Sequence, residues 1–281
     1  MSFRDITIVI TSFKSDAIIK NCLKSINEQC QIIVVENSNN LQFKNHIEEE
    51  FKNVKCILTG ENLGYGKANN IGLNKVKTKY ALILNPDATL ADTTLKSFFE
   101  TVKIIPDFAI IGPYIQEEKD KNFKTNFENT KLVSVKDVKG FAMFLNLSEF
   151  ENIGFFDENF FIYFEEIDMC RKLKLHKKKI FLVPDIKINH RGGQSHDISI
   201  NKPMELSRNW HWMWSTFYYH KKYKGYFISL IIVLPKLISA ILKILIYSLI
   251  PNKDKKEIYY HRYSGLINAI MGKSSWYRPK L

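Results

Sequence analysis

Residues 80–87 read YALILNPD, five apolar residues that end abruptly in Asn85, Pro86 and Asp87. Apolar character on every position, without period-two alternation, is the pattern of a strand covered on both faces. Runs of the same kind lie on either side: ITIVIT (6–11), QIIVVE (31–36), VKCIL (54–58) and FAIIGPYI (108–115). Helix-like stretches fall between them, reaching about residue 29, about residue 77, and from about 92 to 105. Alternating strands and helices predict an α/β fold with a mostly parallel sheet and helices on both faces. Further strand-like runs, KGFAMFLN (139–146), KIFLV (179–183) and IKINH (186–190), with a helix over about 165–176, extend the same domain.

The 281 residues carry 41 basic and 29 acidic side chains, a formal net charge of +12. From Lys221 to Leu281 there are 12 basic and 2 acidic residues, so almost all of the excess sits in the tail. The nearly neutral first 220 residues argue against a nucleic-acid channel, and a basic tail suits an anionic membrane surface. Only 6 of the basic residues are arginine, the side chain that base readout and bidentate phosphate clamps favour. Cys22, Cys30, Cys56 and Cys170 form no C-x-x-C pair and read as reduced, partly buried thiols. The N-terminal MSFRDITIVITSF enters a strand without the pattern of a secretory leader, which predicts a main domain in the cytosol.

Sheets of this class bind ligands beyond the carboxyl ends of their strands. Those ends are Thr11-Ser12-Phe13, Glu36-Asn37-Ser38 and Asn85-Pro86-Asp87. One polar turn is ordinary; three in register point to a site. NLGYGKANNIG (62–72) adds glycines and amides ahead of a helix, where backbone can approach a ligand closely. Asn69 stands where a dinucleotide fingerprint needs its third glycine, so a dehydrogenase is disfavoured. Asp87 has two readings: a turn aspartate capping the next segment, or a ligand for a hard cation that bridges to a diphosphate.

Glu165, Glu166 and Asp168 form the densest acidic cluster, directly after an aromatic stretch. The plain reading is first-turn acids favoured by the helix dipole, with Asp168 paired to Lys172 four residues on. The chemical reading is that carboxylates beside aromatic walls have raised pKa values and take a proton from a hydroxyl. His190 ends a strand ahead of two glycines and is a candidate to complete a metal site with Asp87.

Taken in order, ITIVITSF, IIVVENS, NLGYGKANNIG, LILNPDA, KGFAMFLN, GFFDENFFIYFEEIDMCRKL and INHRGGQS resemble a glycosyltransferase family 2 enzyme of the GT-A fold, rhamnosyltransferase-like branch. The resemblance covers residues 5 to about 196. It implies a nucleotide-sugar site made by Thr11, Ser12, Phe13, Glu36, Asn62, Gly64, Lys67, Asn69, Asn70 and Asn85. It further implies a divalent metal, Mg or Mn, on Asp87 and His190, and catalytic acids at Glu166, Glu165 and Asp168, with Glu166 as the base. Glu36 and Glu166 stand where the family has aspartate, each one methylene longer. The implied activity is inverting transfer of a rhamnose-like or other hexose from a dTDP-, UDP- or GDP-linked donor to a lipid-linked or cell-surface glycan acceptor. An inactive, membrane-tethered nucleotide-sugar-binding or scaffold protein is the alternative those two substitutions leave open.

The last long apolar segment is YFISLIIVLPKLISAILKILIYSLI, residues 226–250, long enough as a helix to cross a bilayer core of about 30 Å. Lys236 and Lys243 within it, and lysines at both flanks, favour an interfacial helix, or a hairpin broken at Pro235, over a simple span. The chain therefore divides into a GT-A catalytic domain (1–205) and a helical membrane-association region (206–281), expected at the cytoplasmic face of the membrane.

Overall fold

The computed structural model describes residues 2–113, 132–190, 197–250 and 252–279. The chain forms two compact units. The first holds Met1–Leu63, Ala68–Phe156 and Met169–Asp197; the second holds Gly64–Lys67, Asp157–Asp168 and Ile198–Leu281.

In chain order the elements are β1 (Ile6–Ser12), α1 (Ile19–Lys24), β2 (Gln31–Glu36), α2 (Leu41–Glu50), β3 (Val54–Leu58), α3 (Tyr65–Leu73), β4 (Tyr80–Leu84), β5 (Ala88–Leu90), α4 (Thr94–Ile104) and β6 (Phe108–Pro113). They continue with β7 (Val133–Ser134), β8 (Ala142–Asn146), α5 (Glu165–Leu175), β9 (Lys179–Val183), β10 (Ile188–His190), α6 (Asn201–Lys224), α7 (Tyr226–Leu249) and α8 (Lys253–Ile270). The end of the run FAIIGPYI and residues 191–196 (RGGQSH) lie outside the described residues.

The first unit is built on an eight-stranded sheet in the order β3-β2-β1-β4-β8-β6-β9-β7. Strands β1 to β4 are parallel neighbours, with Ser12 opposite Glu36 and Val9 opposite Ile83. β8 runs antiparallel between β4 and β6, and β7 antiparallel beside β9, so the expected mostly parallel sheet carries two reversed strands. A separate antiparallel pair, β5 with β10, sets Ala88 opposite His190.

One face of the sheet packs around Phe144, whose ring stacks on Phe98 at 4.6 Å, Tyr80 at 5.4 Å and Phe108 at 5.7 Å. Ile6, Ile8 and Ile10 of β1 join this core because alternate residues of a strand share a face. The opposite face takes α3. A side chain at Gly72 would overlap Val9 and Val35, so glycine there lets the helix lie directly on β1 and β2.

In the second unit α6, α7 and α8 pack around Trp210, Met213, Trp214, Phe217, Val233 and Leu266. Asn252 caps α8, its side chain accepting from Lys255 N at 3.1 Å. α7 is one continuous helix through Pro235, which corrects the expectation of a hairpin broken there. It has a mean hydropathy of 2.3, and among the described residues it is the one helix long and apolar enough to cross a membrane. Ser229, Val233 and Ala240 are its buried positions, while Phe227, Ile231, Leu242, Leu245 and Leu249 are exposed. Lys243 is turned inward: its Nζ donates to Tyr259 Oη at 2.9 Å and lies 4.7 Å from that ring's centre.

Candidate active site

The first group of candidate residues lies in the first unit. β1 and β4 are adjacent parallel strands, and their carboxyl ends carry Thr11, Ser12, Asn85 and Asp87. After Leu84 the chain turns, with Asn85 N bonded to Phe141 O at 2.8 Å and Ala88 N to Asn85 O at 3.1 Å. That turn buries Asp87 to 4% exposure. The β5–β10 pairing then brings His190 Nε2 to 3.4 Å from Asp87 Oδ1, and the imidazole stacks on Phe141 at 4.4 Å. Among the described residues, neither Asp87 oxygen, nor His190 Nε2, nor the hydroxyls of Thr11 and Ser12 has a hydrogen-bond partner. Buried polar atoms are rarely left so, and several together mark where a ligand completes the set. Below the turn, burial and then the charge of Asp87 push the Cys22 thiol up. The thiol is a weak donor to Asn85 O at 3.6 Å. All four cysteines are buried and outside any disulfide.

Both Glu36 oxygens are engaged: Oε1 accepts from Ser38 Oγ at 2.6 Å and Oε2 from Asn40 N at 3.0 Å. The carboxylate thus shapes the loop that leads into α2. Asn37 braces the neighbouring loop, its Oδ1 accepting from Leu63 N at 2.9 Å and its Nδ2 donating to Asn62 Oδ1 at 3.1 Å. Asn70 exchanges two bonds with the backbone of Phe156, both 3.0 Å. Asn69 beside it is fully buried, and Phe13 is half-buried on the turn after β1, where Ser15 Oγ bonds its backbone.

The second group lies in the second unit. Gly64 has φ +85°, and a side chain there would overlap the carbonyl of Phe161, which accepts from Tyr65 N at 2.8 Å. Half-buried Lys67 follows on the first turns of α3. The acids open α5 after an unusual turn: Tyr163 and Phe164 are both left-handed, at φ 72° and 71°. Aromatic residues adopt that region only when their surroundings fix it. Glu165 is 5% exposed and its Oε2 has no partner among the described residues. Burial, and then the charge of Glu166, raise its pKa well above the ordinary glutamate range. Glu166 is half-buried.

Asp168 differs from both. It is fully buried, its Oδ1 accepts from Tyr223 Oη at 2.8 Å, and Lys222 Nζ stands 2.8 Å from its carboxylate. The cation is thus Lys222 of α6 rather than the expected Lys172, which donates to Phe155 O at 2.6 Å. Lys222 also reaches Asp157 at 2.7 Å, so it is no free lysine at the flank of the apolar helix. Lys222, Tyr223 and Asp157 escaped the sequence reading; the only signal was a charged, aromatic last turn on a helix far along the chain.

No group of three or more His, Cys, Asp or Glu side chains suited to hold a metal is found among the described residues. A hard cation that takes most of its ligands from phosphate oxygens and water needs only one or two protein ligands, and the Asp87–His190 pair meets that requirement.

Residues 7–181 match the family model described as glycosyl transferase family 2. The low-salt glycan biosynthesis hexosyltransferase Agl10 of Haloferax volcanii is 28% identical over 192 residues, 60% of this chain and 62% of that protein. The rhamnosyltransferase WbbL of Escherichia coli K12 is 27% identical over 212 residues, 63% of this chain and 80% of that protein. Among solved structures, the mannosyltransferase PcManGT from Pyrobaculum calidifontis, in complex with GDP-Man and Mn2+, superimposes with a TM-score of 0.59 at 13% identity, over 96% of this chain and 88% of that one. Staphylococcus aureus TarS 1–349 with UDP-GlcNAc gives 0.55 at 13% identity, over 97% and 93%. At such identities the likeness is one of fold.

Proposed function

This chain belongs to glycosyl transferase family 2, in its rhamnosyltransferase-like branch, and we propose that it transfers rhamnose or another hexose, with inversion, to a hydroxyl of a lipid-linked or cell-surface glycan. It is a glycosyltransferase of GT-A fold that uses a nucleotide-sugar donor. The observation that carries the reading is the cluster of buried, unpartnered polar atoms on Thr11, Ser12, Asp87 and His190 at the ends of β1, β4 and β10.

In this reading Thr11 and Ser12 hydroxyls bond the donor's nucleotide, and Asp87 with His190 holds a Mg or Mn ion. That ion, when bound, offsets the charge on the diphosphate. Glu36 acts by fixing the loop over residues 38–40, and Asn70 by fixing Phe156, so both shape the pocket through backbone. Glu166 takes the proton of the acceptor hydroxyl as its oxygen attacks the anomeric carbon. The bond from that carbon to the diphosphate oxygen breaks, and the nucleoside diphosphate leaves from the opposite face. Glu165, held toward its neutral form by burial, keeps the negative charge at Glu166 from being doubled. The relatives' names, hexosyltransferase and rhamnosyltransferase, support a glycan acceptor. The exposed apolar face of α7 supports a membrane-bound enzyme whose acceptor is lipid-linked.

The test is release of nucleoside diphosphate from dTDP-rhamnose, UDP-N-acetylglucosamine and GDP-mannose, with Mn²⁺ or Mg²⁺, by the full chain in detergent. Turnover of at least one donor, lost in Asp87→Ala, is expected. A chain that neither binds nor hydrolyses any of them would sink the proposal.

A further inference from the structure

We propose that Lys222 is a positioning residue for transfer, clamping Asp157 and Asp168 so that the strained turn between them presents Glu165 and Glu166 in working geometry. The inference rests on the assignment of those two glutamates as the acids of the reaction.

The turn needs an external hold. Two successive aromatic residues in left-handed backbone do not keep that shape unaided, and they immediately precede the acids. One helix, α6, supplies several holds on residues 162–164. Ser215 Oγ donates to Ile162 O at 3.0 Å. Tyr163 meets Trp212 edge-on at 5.3 Å, and Phe164 packs on Trp212 at 5.4 Å and Tyr219 at 5.2 Å. Trp212, Ser215, Tyr219, Lys222 and Tyr223 recur at the three- and four-residue spacing that puts side chains on one face of α6.

The polar part of this face closes the segment at both ends. Lys222 Nζ is 2.7 Å from Asp157 Oδ2 and 2.8 Å from the Asp168 carboxylate. Tyr218 Oη donates to Asp157 Oδ2 at 3.0 Å, and Tyr223 Oη to Asp168 Oδ1 at 2.8 Å. The side chains of Asp157 and Asp168 are 14% and 0% exposed, so this is no surface ion pair. One ammonium serves two carboxylates; the hydroxyls of Tyr218 and Tyr223 add one donor to each, and Asn159 gives Asp157 Oδ1 its backbone N–H at 3.0 Å and its side-chain amide at 2.8 Å. Without the ammonium, two largely buried carboxylates would repel one another and seek water, and the turn is the element between them that can yield. Asp168 lies three residues after Glu165 on the same helix, so such a shift moves the acids directly.

The test uses the full chain in detergent, with the nucleotide sugar that is turned over in the donor panel above, measuring kcat and donor KM well below each variant's melting temperature. Lys222→Met should lower kcat by about ten-fold or more while donor KM stays within about two-fold, since small misplacements of reacting groups cost rate rather than ground-state binding. Lys222→Arg should recover most of the loss, and Tyr223→Phe should show a milder loss in the same direction. Wild-type kcat in Lys222→Met, a loss confined to KM, or a Lys222→Arg no better than Lys222→Met would overturn the proposal. If Lys222→Met does not fold, Tyr223→Phe decides, and wild-type kcat there defeats the clamp. Glu165→Gln and Glu166→Gln run alongside separate the two ideas. Wild-type turnover in both defeats the assignment of the acids, whereas their loss beside an unaffected Lys222→Met defeats only the clamp.

Discussion

His190 Nε2 stands 3.4 Å from Asp87 Oδ1, and neither atom has a hydrogen-bond partner among the described residues. A ligand that binds only the folded state stabilises it by mass action, by about 2.7 kcal/mol at a hundred-fold excess over its Kd. Mn²⁺ together with a nucleoside diphosphate should therefore raise the melting temperature by several degrees, more than either alone. Asp87→Ala should lose the part of the shift that depends on metal, and His190→Gln should reduce it. A metal response left intact in Asp87→Ala would take Asp87 out of the site.

Glu165 and Glu166 are neighbours with different surroundings, which separates their mutant signatures. Glu166→Gln should keep donor binding and cost about 10² to 10⁴ in turnover, the usual contribution of a positioned acid or base. Glu165→Gln should change stability as well. The folded-state pKa of Glu165 is raised by burial, so the folded chain holds its proton after the unfolded chain has released it. Stability is then greatest at or below the ordinary glutamate pKa of 4.5 and falls as pH rises through the folded value. The glutamine variant should be more stable than wild type at pH 8 and lose that advantage near pH 4. Unfolding curves at the two pH values measure it; an advantage that does not change with pH would mean that Glu165 is not held neutral.

Much of the first unit was legible because a strand covered on both faces reads as an unbroken apolar run, and YALIL, ITIVIT and QIIVVE fell at β4, β1 and β2. α2 was not, because LQFKNHIEEE buries only Phe43 and Ile47 and depends on the Asn40 cap. The short strands β5 and β10 carry too few residues to show a period, yet their pairing sets His190 beside Asp87 across about a hundred residues of chain. In advance, the two were linked by the place of His190 at a strand end ahead of two glycines and then by the ordered resemblance. Asp168 shows the limit of local rules: helical spacing points to Lys172, whereas burial beside α6 supplies Lys222. Glu36 stood at a strand end among the residues implied for the nucleotide-sugar site, and in the fold the loop that follows it takes both carboxylate oxygens.

His211 gives the second unit an acid limit. It is fully buried on α6, with Nε2 2.9 Å from Tyr277 O and Nδ1 2.9 Å from Ser275 Oγ, and its ring stacks on Phe161 at 4.4 Å. Burial lowers its pKa from 6.5 to about 3. The unfolded chain thus takes up a proton first, and stability that is complete above pH 6.5 drains away as pH falls toward 3, by a few kcal/mol in all. His211→Gln should be less stable than wild type at pH 7.5 and show a shallower decline between pH 6.5 and 4. Equal declines in urea unfolding would remove His211 as the sensitive group.

The exposed face of α7 should bury in lipid, and its binding should separate into two parts. Apolar burial contributes on the order of 25 cal/mol per Å² and is insensitive to salt. Lysines close to an anionic surface contribute about 1 kcal/mol each and are screened over a Debye length of about 8 Å at physiological ionic strength. Lys222 is committed to Asp157 and Asp168, and Lys243 to Tyr259, which leaves exposed Lys221, Lys224, Lys236, Lys253, Lys255 and Lys256 for the electrostatic part. A truncation near residue 219 is a poor probe, since it strips Lys222 and Tyr223 from Asp168. Substitution on the exposed face avoids that. The full chain should pellet with vesicles containing phosphatidylserine, less so at high salt but not negligibly. Ile231→Glu with Leu245→Glu, at positions 72% and 57% exposed, should cut the salt-resistant fraction and leave the melting temperature within a few degrees. Lys253→Gln with Lys256→Gln should cut only the salt-sensitive fraction. If the doubly acidic variant pellets as wild type does, or if it unfolds outright, α7 packs against protein rather than lipid, and the case for a lipid-linked acceptor loses its physical support.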